Sequence, residues 1–366
     1  MKIQGVSSMG LAEKAKSALG VMAVGAGLAL AGSTAWADDA ALERCLSRTG
    51  APNAGAPVSE AEGQAYLEAV LGARRDCGAA IQIHPENGDA LFNLALAEET
   101  RRRMDVAFSL YERSAAAGTA AAYTKIGDYH NFGLGSRNED IAAAVAAYRQ
   151  AVAGGDMAAV ATLGLMHRIG RGVPRDLEAM MTLLAEAAEG GYGFAQLRLA
   201  SLYLGTEGLS DAENAALGLP DPARAMPYLA QLAEAGSPGA ALRLAVLASG
   251  AQGDAEPDAE ATERWLNMAV EAGYPPALAV RAILTETGQG LLYDPQAAAE
   301  DYIAALEAGV GFDEMRRTGG LDAGRWDRGT AMAFQEILRA RGLYRGAIDG
   351  IIGAGSRAGA AQLAGE

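Results

Sequence analysis

Residues 159–191 read AVATLGLMHRIGRGVPRDLEAMMTLLAEAAEGG. An apolar, Ala-rich stretch begins at Ala159, and a second ends at Ala187-Ala188 and Gly191. Between them Gly170 and Gly172 precede Val173-Pro174-Arg175-Asp176, which reads as a loop joining two helices. Asp176 stands where a carboxylate can accept the free N–H groups of a helix's first turn. Gly191 stands where a helix closes on a left-handed residue and a Cβ would be costly.

The same punctuation recurs along the chain. Gly118, Gly155, Gly191, Gly236, Gly273 and Gly309 are spaced by 37, 36, 45, 37 and 36 residues. Fifteen residues before the last five stand Asp140, Asp176, Asp221, Asp258 and Asp294. Four residues after the first five stand Ala122, Ala159, Ala195, Ala240 and Ala277. Pro222 and Pro295 follow two of the aspartates, the position a helix N-cap prefers for proline. Three registers locked at a period of about 36 residues indicate a solenoid of helix pairs. Further loop glycines recur at Gly133 and Gly135 and at Gly288 and Gly290.

The run from Ala159 through Leu163-Gly164, Gly170, Gly172, Val173, Asp176, Ala187-Ala188 and Gly191 closely resembles the Sel-one-like repeat, a longer cousin of the tetratricopeptide repeat. The resemblance covers residues 119–312, about five units, and implies an all-α, right-handed α-solenoid that binds a protein or peptide. Thr206 replaces a loop glycine, Arg281 replaces the apolar residue found at Leu163, and the segment after Gly309 lacks the alanine. Leu209–Pro220 is extra, with Ser210 and Glu213 in capping-box register, so a short helix or an ordered loop is expected there. The domain reading is 119–315 for the repeats and 38–118 for an N-terminal helical cap. The cap holds a helix over 60–83 and a tetratricopeptide-like pair around Ala90–Leu96 and Ala107–Tyr111.

Residues 1–37 read as a cleavable signal peptide: Lys14 and Lys16, an apolar run from Ala18 to Ala31, then Ala35-Trp36-Ala37. The run is short and Gly-rich for a membrane span, and no later segment is apolar enough for one. A periplasmic location is therefore expected. Cys45 and Cys77 are the two cysteines. In an oxidising compartment a lone pair is more often a disulfide than a metal site, and His84 alone is near enough in sequence to act as a further ligand.

The formal charge is −15 over 366 residues, and no basic stripe offsets it. Nucleic acid and anionic lipid are poor partners for such a chain. Aromatics make up 6%, so the core has to be built from small side chains that let helices approach closely.

Composition shifts near Arg316, and Thr318-Gly319-Gly320 reads as a linker. Beyond it Gln335 lies on a helix, followed by Gly342, Tyr344, Gly346, Asp349, Gly350, Gly353, Ser356 and Arg357. This order resembles the small peptidoglycan-binding module found beside many cell-wall hydrolases, over about 35 residues of 325–366. The closing Phe-Gln of that family is here Leu363-Ala364. The resemblance implies peptidoglycan as a partner, with Tyr344, Asp349, Gly350, Gly353, Ser356 and Arg357 as candidate contacts and the Tyr344 ring exposed.

His130 and His167 are 37 apart and share one repeat slot with Tyr203, which points to packing and not to acid–base chemistry. No metalloprotease, nucleophile-elbow or phosphate-loop motif is present. No enzyme activity, cofactor or metal is expected. The sequence thus reads as a periplasmic scaffold, with a regulatory or chaperone-like adaptor lacking wall contact as the alternative and a cell-wall enzyme as a third reading.

Overall fold

The computed structural model describes residues 40–47, 60–252 and 256–365. The signal-peptide reading lies outside these. Every regular element among the described residues is a helix. Helix α1 spans 40–47, α2 Glu60–Ile83, α3 Gly88–Thr100 and α4 Met104–Ala116. Five pairs follow: α5 (Ala120–Phe132) with α6 (Ile141–Ala153), α7 (Met157–Ile169) with α8 (Leu177–Glu189), and α9 (Gly193–Tyr203) with α11 (Pro222–Glu234). The last two are α12 (Pro238–Ala248) with α13 (Ala259–Glu271) and α14 (Pro275–Thr287) with α15 (Pro295–Glu307). The extra segment forms α10 (Asp211–Ala216), opened by a capping box between Ser210 and Glu213. Two helices, α16 (Arg328–Ala340) and α17 (Ala354–Ala364), close the chain.

Each repeat aspartate does two jobs. Its carboxylate accepts from the backbone N–H three residues on, as Asp140 does from Ala143 and Asp176 from Ala179, both at 2.9 Å. Its own N–H donates back to a carbonyl in the last turn of the partner helix. Asp140 reaches His130, Asp176 His167, Asp221 Tyr203, Asp258 Ala248 and Asp294 Thr285, at 2.6–3.2 Å. This clip closes every helix pair. It forms even where α10 intervenes, so the insertion bulges outward without opening the pair.

The glycines end the second helices in one geometry. Gly155, Gly191, Gly236, Gly273 and Gly309 have φ between +70° and +98°. Around Gly191, its N–H donates to Ala188 O and the Tyr192 N–H to Ala187 O, both at 3.0 Å, a Schellman closure. The repeat alanines Ala122, Ala159, Ala195 and Ala277 are fully buried at the helix crossings.

The second loop glycine has a stricter role. Gly172 has φ +72°, and a Cβ there would sit 2.4 Å from Ile141 Cγ2 and 3.0 Å from Val145 Cγ2 on the preceding pair. Around Gly191 a Cβ would meet nothing. Gly191→Ala should therefore cost only the left-handed backbone, about 1 kcal/mol. Gly172→Ala adds overpacking, for a total of about 2–4 kcal/mol. Urea denaturation of both variants checks this; equal costs would mean that the loop does not lean on the previous pair.

The segment read as a linker is packed. A Cβ on Gly319 would lie 2.6 Å from Val280 Cγ2, and Gln252 donates to Gly320 O at 2.8 Å. Trp326 stacks among Tyr302, Phe312 and Phe334 at 5.0–6.2 Å between ring centres. One hydrophobic cluster runs from Val160 to Ala360, so α16 and α17 share the core of the last repeats. Glycine and lost periodicity suggested a linker; here the glycines let the backbone press onto α14.

Successive pairs curve. Helix α5 also touches α7, and α12 touches α14, while no two successive second helices meet as closely among the described residues. The first helices thus form the inner, shorter layer of the stack.

Candidate functional site

Two places carry polar side chains in an organised way: the C-terminal loop and the inner helix layer. In the loop, Gln335 on α16 is fully buried and acts as a hub. Its Oε1 accepts from the N–H groups of Asp349 (3.1 Å) and Gly350 (3.0 Å). Its Nε2 donates to Ile351 O at 3.0 Å and Asp349 Oδ1 at 3.1 Å, with longer contacts to Tyr344 Oη and Ser356 Oγ. Asp349 also accepts from Ile351 N–H at 2.8 Å. That backbone bond and the Gln335 amide hold its carboxyl below the usual range.

Several of the candidate contacts are engaged within the protein. Ser356 is 1% exposed and cannot reach a ligand. The Tyr344 ring is half-buried, not free: it lies against Gly346 and Gly355, and its hydroxyl donates to Ala347 O at 2.8 Å. Gly350, at φ +75°, leaves room for Arg328; a Cβ would come within 2.7 Å of Arg328 Cγ. Arg357 pairs with Asp313 at 2.9 Å and covers the Phe312 ring, tying the loop to the solenoid. Gly353 precedes α17 in open space. The motif order fixes a turn, and Ile351, 69% exposed, and Arg345 are what the turn presents.

The inner layer shows a charge pattern that the linear sequence hides. Helices α5, α7, α9, α12 and α14 carry five basic residues, Lys125, Arg168, Arg198, Arg243 and Arg281, and two acidic ones, Asp128 and Glu286. Helices α6, α8, α11, α13 and α15 carry three basic and ten acidic residues. The solenoid is polarised from inside to outside. Lys125, Arg198 and Arg243 each stand three residues after the repeat alanine, and that register was the available signal.

The inner groups differ in how they are held. Lys125 pairs with Glu99 at 3.3 Å, and Arg281 grips Asp301 with two bonds of 2.6 and 2.8 Å. Burial pushes the Asp128 carboxyl up, against the pull of Lys125 and the Tyr148 hydroxyl, which donates to it at 2.9 Å. Arg168 and Arg198 share the single carboxylate of Glu207, each at 3.0 Å. Arg243 is exposed and forms no ion pair among the described residues; its nearest polar partner is Ser201 Oγ at 3.5 Å.

The histidine slot is used for packing. His130 sets its ring edge-on to Phe108 at 5.8 Å, a His167 ring nitrogen lies 3.0 Å from Pro174 O, and Tyr203 stacks on Tyr228.

No protein-family profile and no curated protein sequence matches the chain. Among solved structures it is similar to a Sel1 repeat protein from Oxalobacter formigenes, with 22% identity over 65% of this chain and 92% of that one (TM-score 0.45). It is also similar to c5321, a protective antigen of uropathogenic Escherichia coli strains displaying an SLR fold: 17% identity, 92% and 84% coverage, TM-score 0.36. A third similar structure is immunity protein Pa5087 from Pseudomonas aeruginosa, with 17% identity, 65% and 83% coverage and a TM-score of 0.40.

Proposed function

We propose that this chain is an exported, periplasmic scaffold that binds a protein or peptide partner on the inner face of its helix stack. The observation that carries the reading is the inner layer itself, five first helices in register with a polar surface unlike the outer one. Curved stacks of helix pairs offer extended concave surfaces suited to polypeptides. The Cys45–Cys77 bond supports export to an oxidising compartment. Affinity capture from envelope extract tests the reading, and recovery of no partner above a charge-matched control would refute it.

The finer part of the reading places the C-terminal module against peptidoglycan. The alternative, an adaptor without wall contact, is favoured by one observation: Tyr344, Asp349, Ser356 and Arg357 are engaged within the protein. Sedimentation with purified sacculi decides between them. Deleting 325–366 would strip Trp326 and Phe334 from the shared core, so point variants are the better probe. Arg345→Glu combined with Ile351→Asp should abolish pelleting and leave the melt unchanged, because both residues are exposed. Pelleting that survives the double variant, or that never occurs, leaves the module as an end cap.

A further inference from the structure

We propose that the inner face of α7, α9 and α12 takes an acidic stretch of the partner polypeptide, whose carboxylates pair with Arg243 and with the outer edges of Arg168 and Arg198. The inference rests on the scaffold reading and adds the chemistry of the partner.

Two guanidinium groups converge here on one carboxylate, and a third reaches the same helix without meeting it. Glu207 is 10% exposed and already shared between Arg168 and Arg198. Arg198 remains 41% exposed at its side chain, so its donors are not used up by that bond. Arg243 comes from the next repeat and reaches toward Ser201, one turn after Arg198 on α9. Arg243 is exposed and holds no acidic partner among the described residues, in a chain whose carboxylates outnumber its basic groups 45 to 30. Planar forks of donors match carboxylate geometry and favour bidentate pairing.

The rest of the molecule reinforces this choice. The outer helices, with ten acidic residues against three basic ones, repel an acidic segment, so attraction is confined to the inner side. Nucleic acid fits less well, because tight binding there needs many phosphate contacts and the chain as a whole is acidic.

Fluorescence anisotropy with the full chain tests the proposal. The probes are a dye-labelled ten-residue peptide of glutamate and leucine, its glutamine–leucine isostere, a lysine–leucine counterpart and a ten-nucleotide single strand of DNA. The acidic peptide should bind about tenfold or more tightly than the isostere, weakening as salt rises. Arg243→Glu should weaken it about tenfold with an unchanged melt, since Arg243 holds no ion pair that folding needs. Arg149→Glu on the outer helix α6 should change nothing. Acidic binding that is indifferent to Arg243→Glu, or DNA bound more tightly than the peptide, overturns the inference. If the isostere binds as well as the acidic peptide, the scaffold reading stands and the acidic partner is wrong. If no peptide of any charge binds and envelope capture also fails, both are refuted.

Discussion

Glu286→Ala will destabilise the C-terminal third of the stack by about 3–5 kcal/mol, the usual cost of stripping one member from a buried ion pair. Glu286 is 4% exposed and takes donors from three elements. Arg316 reaches Oε2 at 2.6 Å, the Tyr302 hydroxyl reaches the same oxygen at 2.6 Å, and the Asp327 N–H reaches Oε1 at 2.8 Å. Arg316 is itself 7% exposed, with its guanidinium 4.1 Å from the centre of the Trp326 ring. Removing the carboxylate leaves a buried cation and an unpaired backbone donor. In the intact protein burial, then the charge of Glu286, pushes the Tyr302 hydroxyl up, so it serves as the donor to the carboxylate. Glu286→Gln should cost less, because the amide oxygen still accepts. Pairing Glu286→Leu with Arg316→Met should recover much of the loss, since an apolar pair of similar volume avoids burying charge. Hydrogen exchange should locate the damage in 275–340. A full-length melt unchanged by Glu286→Ala would show that α16 and α17 do not depend on this bridge.

The same bridge shows why the sequence misled at 318–320. Sequence carries local signals well: the Asp and Gly registers mark helix starts and stops, and these sit where the caps and left-handed turns lie. The capping box at Ser210 and Glu213 likewise gives α10. In that box an Arg175 hydrogen bond, aided by Ser210, holds the Glu213 carboxyl down at about 2. Contacts between distant residues leave no such local mark. Nothing around Gly319 announces Val280, and nothing around Arg316 announces Glu286, thirty residues earlier. A glycine needed for close approach and a glycine in a linker look alike in one dimension.

The candidate sites were legible to different degrees for the same reason. The Gln335–Asp349–Gly350 order in the C-terminal loop is readable, but its purpose is not, because order alone does not say whether a side chain faces in or out. Ser356 and Tyr344 turn inward. The inner arginines were missed because each is a single residue in its own repeat. Their alignment follows only when helices are sorted into layers, and total charge hides how basic residues gather on the first helices.

Reducing the Cys45–Cys77 bond, or replacing both cysteines by serine, will release the N-terminal end of the stack and leave the repeats intact. The bond joins α1 to α2 across 32 residues, with both cysteines fully buried. Closing a loop of that length is worth about 3–4 kcal/mol through the unfolded chain. Helix α1 has eight residues, far fewer than a helix needs to persist alone in water. Its other ties include Ala41 buried, Leu42 packed against the N-terminal cluster, Asn93 donating to Cys45 O at 3.4 Å, and Arg44 against Asp76 at 3.3 Å with the arginine half exposed. A helix this short leans heavily on its crosslink, so α1 should detach when the bond is lost. Its departure uncovers Cys77, which belongs to the cluster formed with α3 and α4. The effect should fade with distance, because each unit of a solenoid leans only on its neighbours. Hydrogen exchange in reductant should therefore show lost protection over 40–47, partial loss over 70–100 and none beyond Gly155. Unchanged protection of 40–47 in the double serine variant would mean that packing alone holds α1, and that the crosslink adds nothing to the end of the stack.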